Sequence, residues 1–166
     1  MLKFFTLSVI MLGFLWGKSM PISVGEPAPE FSLSDENGKM HSLSQYRGQK
    51  IVVYFYPKDD TPGCTKEACG IRDEFSSFVD NQIVVFGISY DNASSHRKFK
   101  KKFDIPFHLL SDENKSVSKL YGADGTFFPS RKTYLIDEDG KLLKIYDKVN
   151  VLNHAEDILR TFAKND

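Results

Sequence analysis

Apolar positions along the chain change their period several times, and each change marks an element. Residues 50–56 read Lys-Ile-Val-Val-Tyr-Phe-Tyr, a run of β-branched and aromatic side chains with no polar alternation. Such a run predicts a strand covered on both faces, and Pro57 ends it. Residues 83–89 repeat the signal. From residue 64 to about 79 the period lengthens: Ala68, Ile71, Phe75 and Phe78 recur at helical spacing and predict one helix. Further helices are predicted over 94–103, 116–121 and 153–163, and a short strand over 107–110. One hairpin joins strands at 31–33 and 40–43 through a turn centred on Asn37-Gly38. A second joins 132–137 to 141–148 across Glu138-Asp139-Gly140. Strand–helix–strand–helix followed by hairpin and helix predicts an α/β domain with a mixed central sheet.

Residues 1–19 break from this pattern. Lys3 supplies a positive charge, residues 4–16 are almost wholly apolar, and Gly17 and Ser19 stand two apart. A charged start, a short apolar run and a small-residue site outline a secretory signal peptide. The alternatives are a retained N-terminal anchor or a buried first element. The run falls short of the roughly 20 residues that a membrane span needs. Residues 20–166 then form one domain without repeats or an internal linker. The expected location is exported, periplasmic or otherwise extracytoplasmic, with no stable membrane contact after signal cleavage.

Charge narrows the partners. Lys plus Arg is 22 and Asp plus Glu is 22, a balance that argues against nucleic acid or an anionic membrane. His96-Arg97-Lys98 and Lys100-Lys101-Lys102 form a basic patch that reads as a solvated helix face. His41, His96, His108 and His154 show no metal-ligand spacing and read as ordinary surface or core residues. The aromatics between Phe31 and Phe128 read as core, so no metal or cofactor is implied.

The two cysteines, Cys64 and Cys69, are five residues apart. A bond closing so short a loop would remove little unfolded-state entropy, which points away from a staple and toward chemistry. Cys64 stands where a buried strand hands over to a helix. There the unpaired N–H groups and positive end of the helix favour a thiolate, the nucleophilic form. Thr61, three residues earlier, can cap the helix or orient an oxygen ligand beside the sulfur. Pro57 and Pro62 stiffen the loop between.

The stretch from Tyr54 to Asp73 carries Pro57-x-x-x-Thr61-x-x-Cys64, and this resembles the signature of the peroxiredoxins. The Cys-x-x-x-x-Cys spacing, with Pro-Gly before and Thr-Lys-Glu-Ala between, is similar to the PrxQ or bacterioferritin-comigratory-protein subfamily. The likeness spans nearly all of residues 22–163. It includes Gly25-x-x-Ala28-Pro29-x-Phe31, Phe55-Tyr56-Pro57-Lys58-Asp59, Gly87-Ile88-Ser89, Leu110-Ser111-Asp112 and Leu135-Ile136-Asp137. The resemblance implies a thioredoxin-like fold with an N-terminal hairpin extension. It implies a peroxidase in which Cys64 attacks a hydroperoxide and becomes a sulfenic acid. Cys69 resolves that acid as a disulfide, and a thioredoxin-like or other dithiol donor reduces it. It also implies that Arg131 is the active-site arginine, that Glu67 orients it, and that the protein is a monomer. Residues 122–130, Gly-Ala-Asp-Gly-Thr-Phe-Phe-Pro-Ser, depart from the subfamily and bear on the entrance and substrate preference. A thiol–disulfide oxidoreductase or a redox sensor is the alternative, although a Cys-x-x-Cys pair is absent. On an intact helix, five residues separate the two Cα atoms by about 8 to 9 Å, beyond the roughly 7 Å limit for a disulfide. The helix start is therefore expected to unwind when the bond forms.

Overall fold

The computed structural model of the protein describes residues 22–165. The signal peptide expected over residues 1–19 lies outside the described residues. Among the described residues, no helix is long and apolar enough to cross a membrane.

Seven strands form one mixed sheet: β1 (Ser32–Asp35), β2 (Met40–Ser42), β3 (Lys50–Phe55), β4 (Ile83–Ser89), β5 (His108–Ser111), β6 (Lys132–Ile136) and β7 (Leu142–Tyr146), in the order β2-β1-β5-β4-β3-β6-β7. Strands β3, β4 and β5 run parallel, while β6 and β7 extend one edge antiparallel and the β1–β2 hairpin extends the other. The helices are α1 (Pro62–Asp73), α2 (Phe75–Asp80), α3 (Ala93–Phe103), α4 (Ser116–Leu120) and α5 (His154–Ala163). This is the α/β, thioredoxin-like architecture with an N-terminal hairpin that the sequence predicts.

The polar-free run of β3 is explained by two cores. Val52 and Tyr54 point into a cluster with Ala68, Ile71, Phe78, Ile158 and Phe162. Ile51, Val53 and Phe55 point to the opposite face, against Phe31, Phe86, Tyr121 and Tyr134. Strand side chains alternate faces, so a strand packed on both sides has no position left for a polar residue.

The helix predicted over 64–79 is corrected in two ways. It starts earlier, with Pro62 in its first turn, where a missing N–H costs nothing. It also breaks at Glu74, whose φ of −96° and ψ of 8° leave the helical range. Phe78 is fully enclosed beyond the break while its neighbour Val79 remains exposed. No proline or glycine marks Glu74, so the helical period alone does not reveal the break.

Candidate active site

Cys64 lies in the first turn of α1 with its side chain 2% exposed. Strand β3 delivers it: Phe55 ends the strand, residues 56–61 turn over its carboxyl end, and α1 begins. In parallel α/β sheets this is where sites collect. The antiparallel pairing of β3 with β6 places Phe55 opposite Lys132, so Arg131 stands beside the same strand end. Its Nη2 donates to Cys64 Sγ at 3.2 Å. Its Nη1 donates to Oε2 of Glu67, which sits three residues beyond Cys64 on the same helix face. Gly63 makes room for this contact, because a Cβ there would lie 3.3 Å from Arg131 Nη2. Cys64, Glu67 and Arg131 thus form one connected group. Glu67 is 1% exposed.

Burial pushes the Glu67 carboxyl up to about 7, against the pull of the Arg131 charge and hydrogen bond. For Arg131 burial works against the charge, but Glu67 and Cys64 outweigh it and raise the guanidinium above its ordinary value. The second Glu67 oxygen, Oε1, accepts no hydrogen bond and lies 3.9 Å from Nε2 of His154. His154 is itself buried and shares a 2.8 Å hydrogen bond with Thr133 Oγ1. Burial lowers it to about 4, so it is neutral at pH 7.

This pair makes a prediction for stability. A histidine at 6.5 in the unfolded chain and about 4 in the folded one contributes stability that is full above pH 6.5 and is lost as pH falls toward 4. The loss between pH 7.5 and 4.5 is about 2.5 kcal/mol. Glu67 acts with the opposite sign, because a raised carboxyl gains stability as pH falls from about 7 to 4.5. In His154→Gln only the Glu67 contribution remains. Urea unfolding at the two pH values should show the acid-side change shifted by about 2.5 kcal/mol in the variant's favour. An identical pH dependence in both proteins would remove His154 from this role.

Thr61 occupies the N-cap position, but its Oγ1 donates to Lys58 O at 2.9 Å and makes no capping bond. The capping alternative read from the sequence is therefore corrected: the hydroxyl closes the loop on itself, and its lone pairs remain available as acceptors. Pro57 is half-buried at the start of this loop. The loop is pinned from below by Asp59, which is 6% exposed. Asp59 accepts from Tyr56 Oη at 2.6 Å, Ser95 Oγ at 2.7 Å and His96 Nδ1 at 2.9 Å, and its own amide donates to Asp91 at 2.9 Å. His96 is fully buried and Lys100 half-buried, so the solvated face expected of these residues is corrected at those two positions, while Arg97, Lys98, Lys101 and Lys102 are exposed as expected. Arg97 donates to Glu36 O, and Lys100 Nζ donates to Glu36 Oε1.

Cys69 lies on the same helix, half-buried, and both cysteines are free thiols. Sequence reasoning missed Gly63, Asp59, His96 and His154 as parts of the site. Asp59 was within reach, since it belongs to the quoted Phe-Tyr-Pro-Lys-Asp motif; the histidines carried no local signal.

With a buried cysteine at a helix start hydrogen-bonded by an arginine, and with peroxiredoxins as its relatives, the chain falls in the class of thiol-dependent peroxidases. The AhpC/TSA family matches residues 24–145, and the chain belongs to that family. It is 45% identical over 148 residues to the peroxiredoxin bcp of Coxiella burnetii, covering 84% of this chain and 98% of that protein. It is 47% identical over 129 residues to the chloroplastic peroxiredoxin Q of Oryza sativa subsp. japonica, covering 76% of this chain but only 59% of that one. The crystal structure of peroxidoxin BcpB from Mycobacterium tuberculosis superposes with a TM-score of 0.81 at 32% identity, covering 86% of this chain and 97% of the other.

Proposed function

We propose that Cys64 is the peroxidatic cysteine and Cys69 the resolving one, and that hydrogen peroxide and organic hydroperoxides are the oxidants. The observation that carries this reading is the 3.2 Å hydrogen bond from Arg131 Nη2 to Cys64 Sγ in the first turn of α1. The Cys64 thiolate attacks the terminal peroxide oxygen. The O–O bond breaks, sulfur is oxidised to the sulfenic acid, and the departing oxygen takes a proton and leaves as water or an alcohol. Arg131 meets the charge that grows on that oxygen. Thr61 orients the peroxide, Pro57 shapes the rim, and Glu67 holds the guanidinium. The Cys69 thiol then displaces water from the sulfenic acid to give the disulfide, and a thioredoxin-like dithiol reduces it by two electrons. Exposed Phe127 and Phe128, in the loop that leads to Arg131, offer apolar surface to the organic part of a larger hydroperoxide.

The apolar N-terminal pattern supports export, with reduction supplied outside the cytoplasm. We infer that residues 20–166 work as a monomer.

The test is intact mass and free-thiol count after one equivalent of hydrogen peroxide, on the wild type and on Cys69→Ser. The wild type is expected to lose both thiols, and Cys69→Ser to gain one oxygen. If neither reacts, Cys64 is not a peroxidatic cysteine. If the wild type stops at the same one-oxygen adduct as Cys69→Ser and keeps the Cys69 thiol, resolution does not belong to Cys69.

A further inference from the structure

At the edge of the sheet away from Cys64, three strands bring one carboxylate and two imidazoles together. Asp35 ends β1, His41 is the middle residue of β2, and His108 begins β5. His41 Nε2 lies 2.9 Å and His108 Nδ1 3.2 Å from the same oxygen, Asp35 Oδ2. One ligand atom from each of the three residues falls within 4.8 Å of the others. We propose that this group is a binding site for a divalent transition cation of the zinc class, held by His41 Nε2, His108 Nδ1 and Asp35 Oδ2.

Three observations support the assignment. The first is the division of the Asp35 carboxylate. Its Oδ1 accepts the amides of Asn37 and Lys39 at 2.8 and 2.9 Å and so shapes the hairpin turn. That fixes Oδ2 toward the two rings. The carboxylate is held in place from both sides and is 1% exposed.

The second is the state of the rings. A carboxylate only accepts, so His41 donates Nε2–H to Asp35, and Nδ1 accepts from the Tyr46 hydroxyl at 2.5 Å. His108 Nδ1 is buried and makes no hydrogen bond, although Asp35 Oδ2 is 3.2 Å away and Glu36 Oε1 3.5 Å. A buried ring nitrogen 3.2 Å from a carboxylate oxygen but off the line of a hydrogen bond is a cost that a cation would remove. Two imidazoles and a carboxylate suit zinc and its neighbours, leaving a further position for water.

The third is the surroundings of the three ligands. With a cation on Nε2, the His41 proton moves to Nδ1 and Tyr46 Oη becomes its acceptor, the usual outer support of a metal-bound histidine. Lys100 Nζ already satisfies Glu36 Oε1 at 2.7 Å, so Glu36 stays outside the ligand set. Phe86 stacks beside His108 and closes the inner side. The bound ion would tie the hairpin to β5.

The test keeps the thiols out of the titration. Zinc is titrated calorimetrically into the full chain carrying Cys64→Ser and Cys69→Ser, against a weak competing chelator. One equivalent should bind, and nitrogen–proton spectra should show the His41 and His108 rings shifting while the buried His96 and His154 stay fixed. Adding His108→Phe, at a ring whose side chain is 42% exposed, should cost at least 100-fold in affinity without changing circular dichroism. Tyr46→Phe should cost about tenfold. The absence of one-to-one binding, or binding unchanged by His108→Phe, would overturn the proposal.

Discussion

Arg131→Gln should slow the oxidation of Cys64 by hydrogen peroxide on the order of 10²- to 10³-fold, the usual cost of removing a donor aimed at developing charge. Two effects add. The guanidinium is the group that donates to Sγ, at 3.2 Å, so its loss leaves the sulfur with the helix start alone to hold negative charge. The variant also strands Glu67, which is almost fully buried and has Arg131 as its hydrogen-bonded partner. A carboxylate left there would repel a thiolate three residues away, so the proton on Glu67 is held still more tightly. Adding Glu67→Gln to Arg131→Gln should therefore restore part of the rate and part of the stability, because it removes the unpaired buried acid. Arg131→Lys keeps a charge but cannot reach sulfur and carboxylate at once, and should recover only a fraction. Rates are read by quenching with a thiol-alkylating reagent and weighing the products; the sole tryptophan, Trp16, lies outside the described residues. A rate for Arg131→Gln within threefold of wild type would dismiss the role given to this arginine.

The two halves of the site differ in how far they could be read from the chain. Strand β3, the loop proline and Cys64 follow one another within fifteen residues, and each obeys a local rule: a polar-free run for a strand packed on both faces, Pro62 for a helix start, a cysteine in the first turn. Those rules are independent of the rest of the fold, so the sequence expresses them directly. Arg131 was legible only through the family pattern, since 67 residues separate it from Cys64 and only the β3–β6 register brings them together. His154 and His96 had no such pattern. They lie on helices whose approach to the sheet depends on every intervening connection, so burial could not be deduced from their neighbours. His41 and His108 are the extreme case. Their spacing along the chain resembles no ligand motif, yet the pairing of β1 with both β2 and β5 places their rings 4.6 Å apart. Glu74 shows the converse: a local rule, the helical period, runs straight through a position where the helix breaks.

Formation of the Cys64–Cys69 bond should unwind the start of α1, and the change should be large in hydrogen exchange. Both cysteines lie within one continuous helix, Pro62–Asp73, where five residues put their Cα atoms about 8 to 9 Å apart and on different faces. A disulfide tolerates no more than about 7 Å. The mismatch cannot be absorbed by side-chain rotation, so backbone hydrogen bonds between residues 62 and 70 must break. Amides in this segment should lose protection on the order of 100-fold or more on oxidation, while those of β3 and β4 keep theirs. Unwinding also pulls Cys64 away from Arg131 and exposes the bond to an external dithiol, which links the geometry of the resting site to the need for a separate reductant. Gly70 offers a kinetic check. It is helical, and a Cβ there would meet only Val151 O, at 3.9 Å. Gly70→Ala should therefore favour the wound helix by about 0.5–1 kcal/mol and slow disulfide formation by roughly two- to fivefold. The sulfenic acid step, which needs the helix intact, should keep its rate. If oxidation leaves residues 62–70 as protected as before, or if Gly70→Ala slows both steps alike, resolution does not proceed through unwinding of α1.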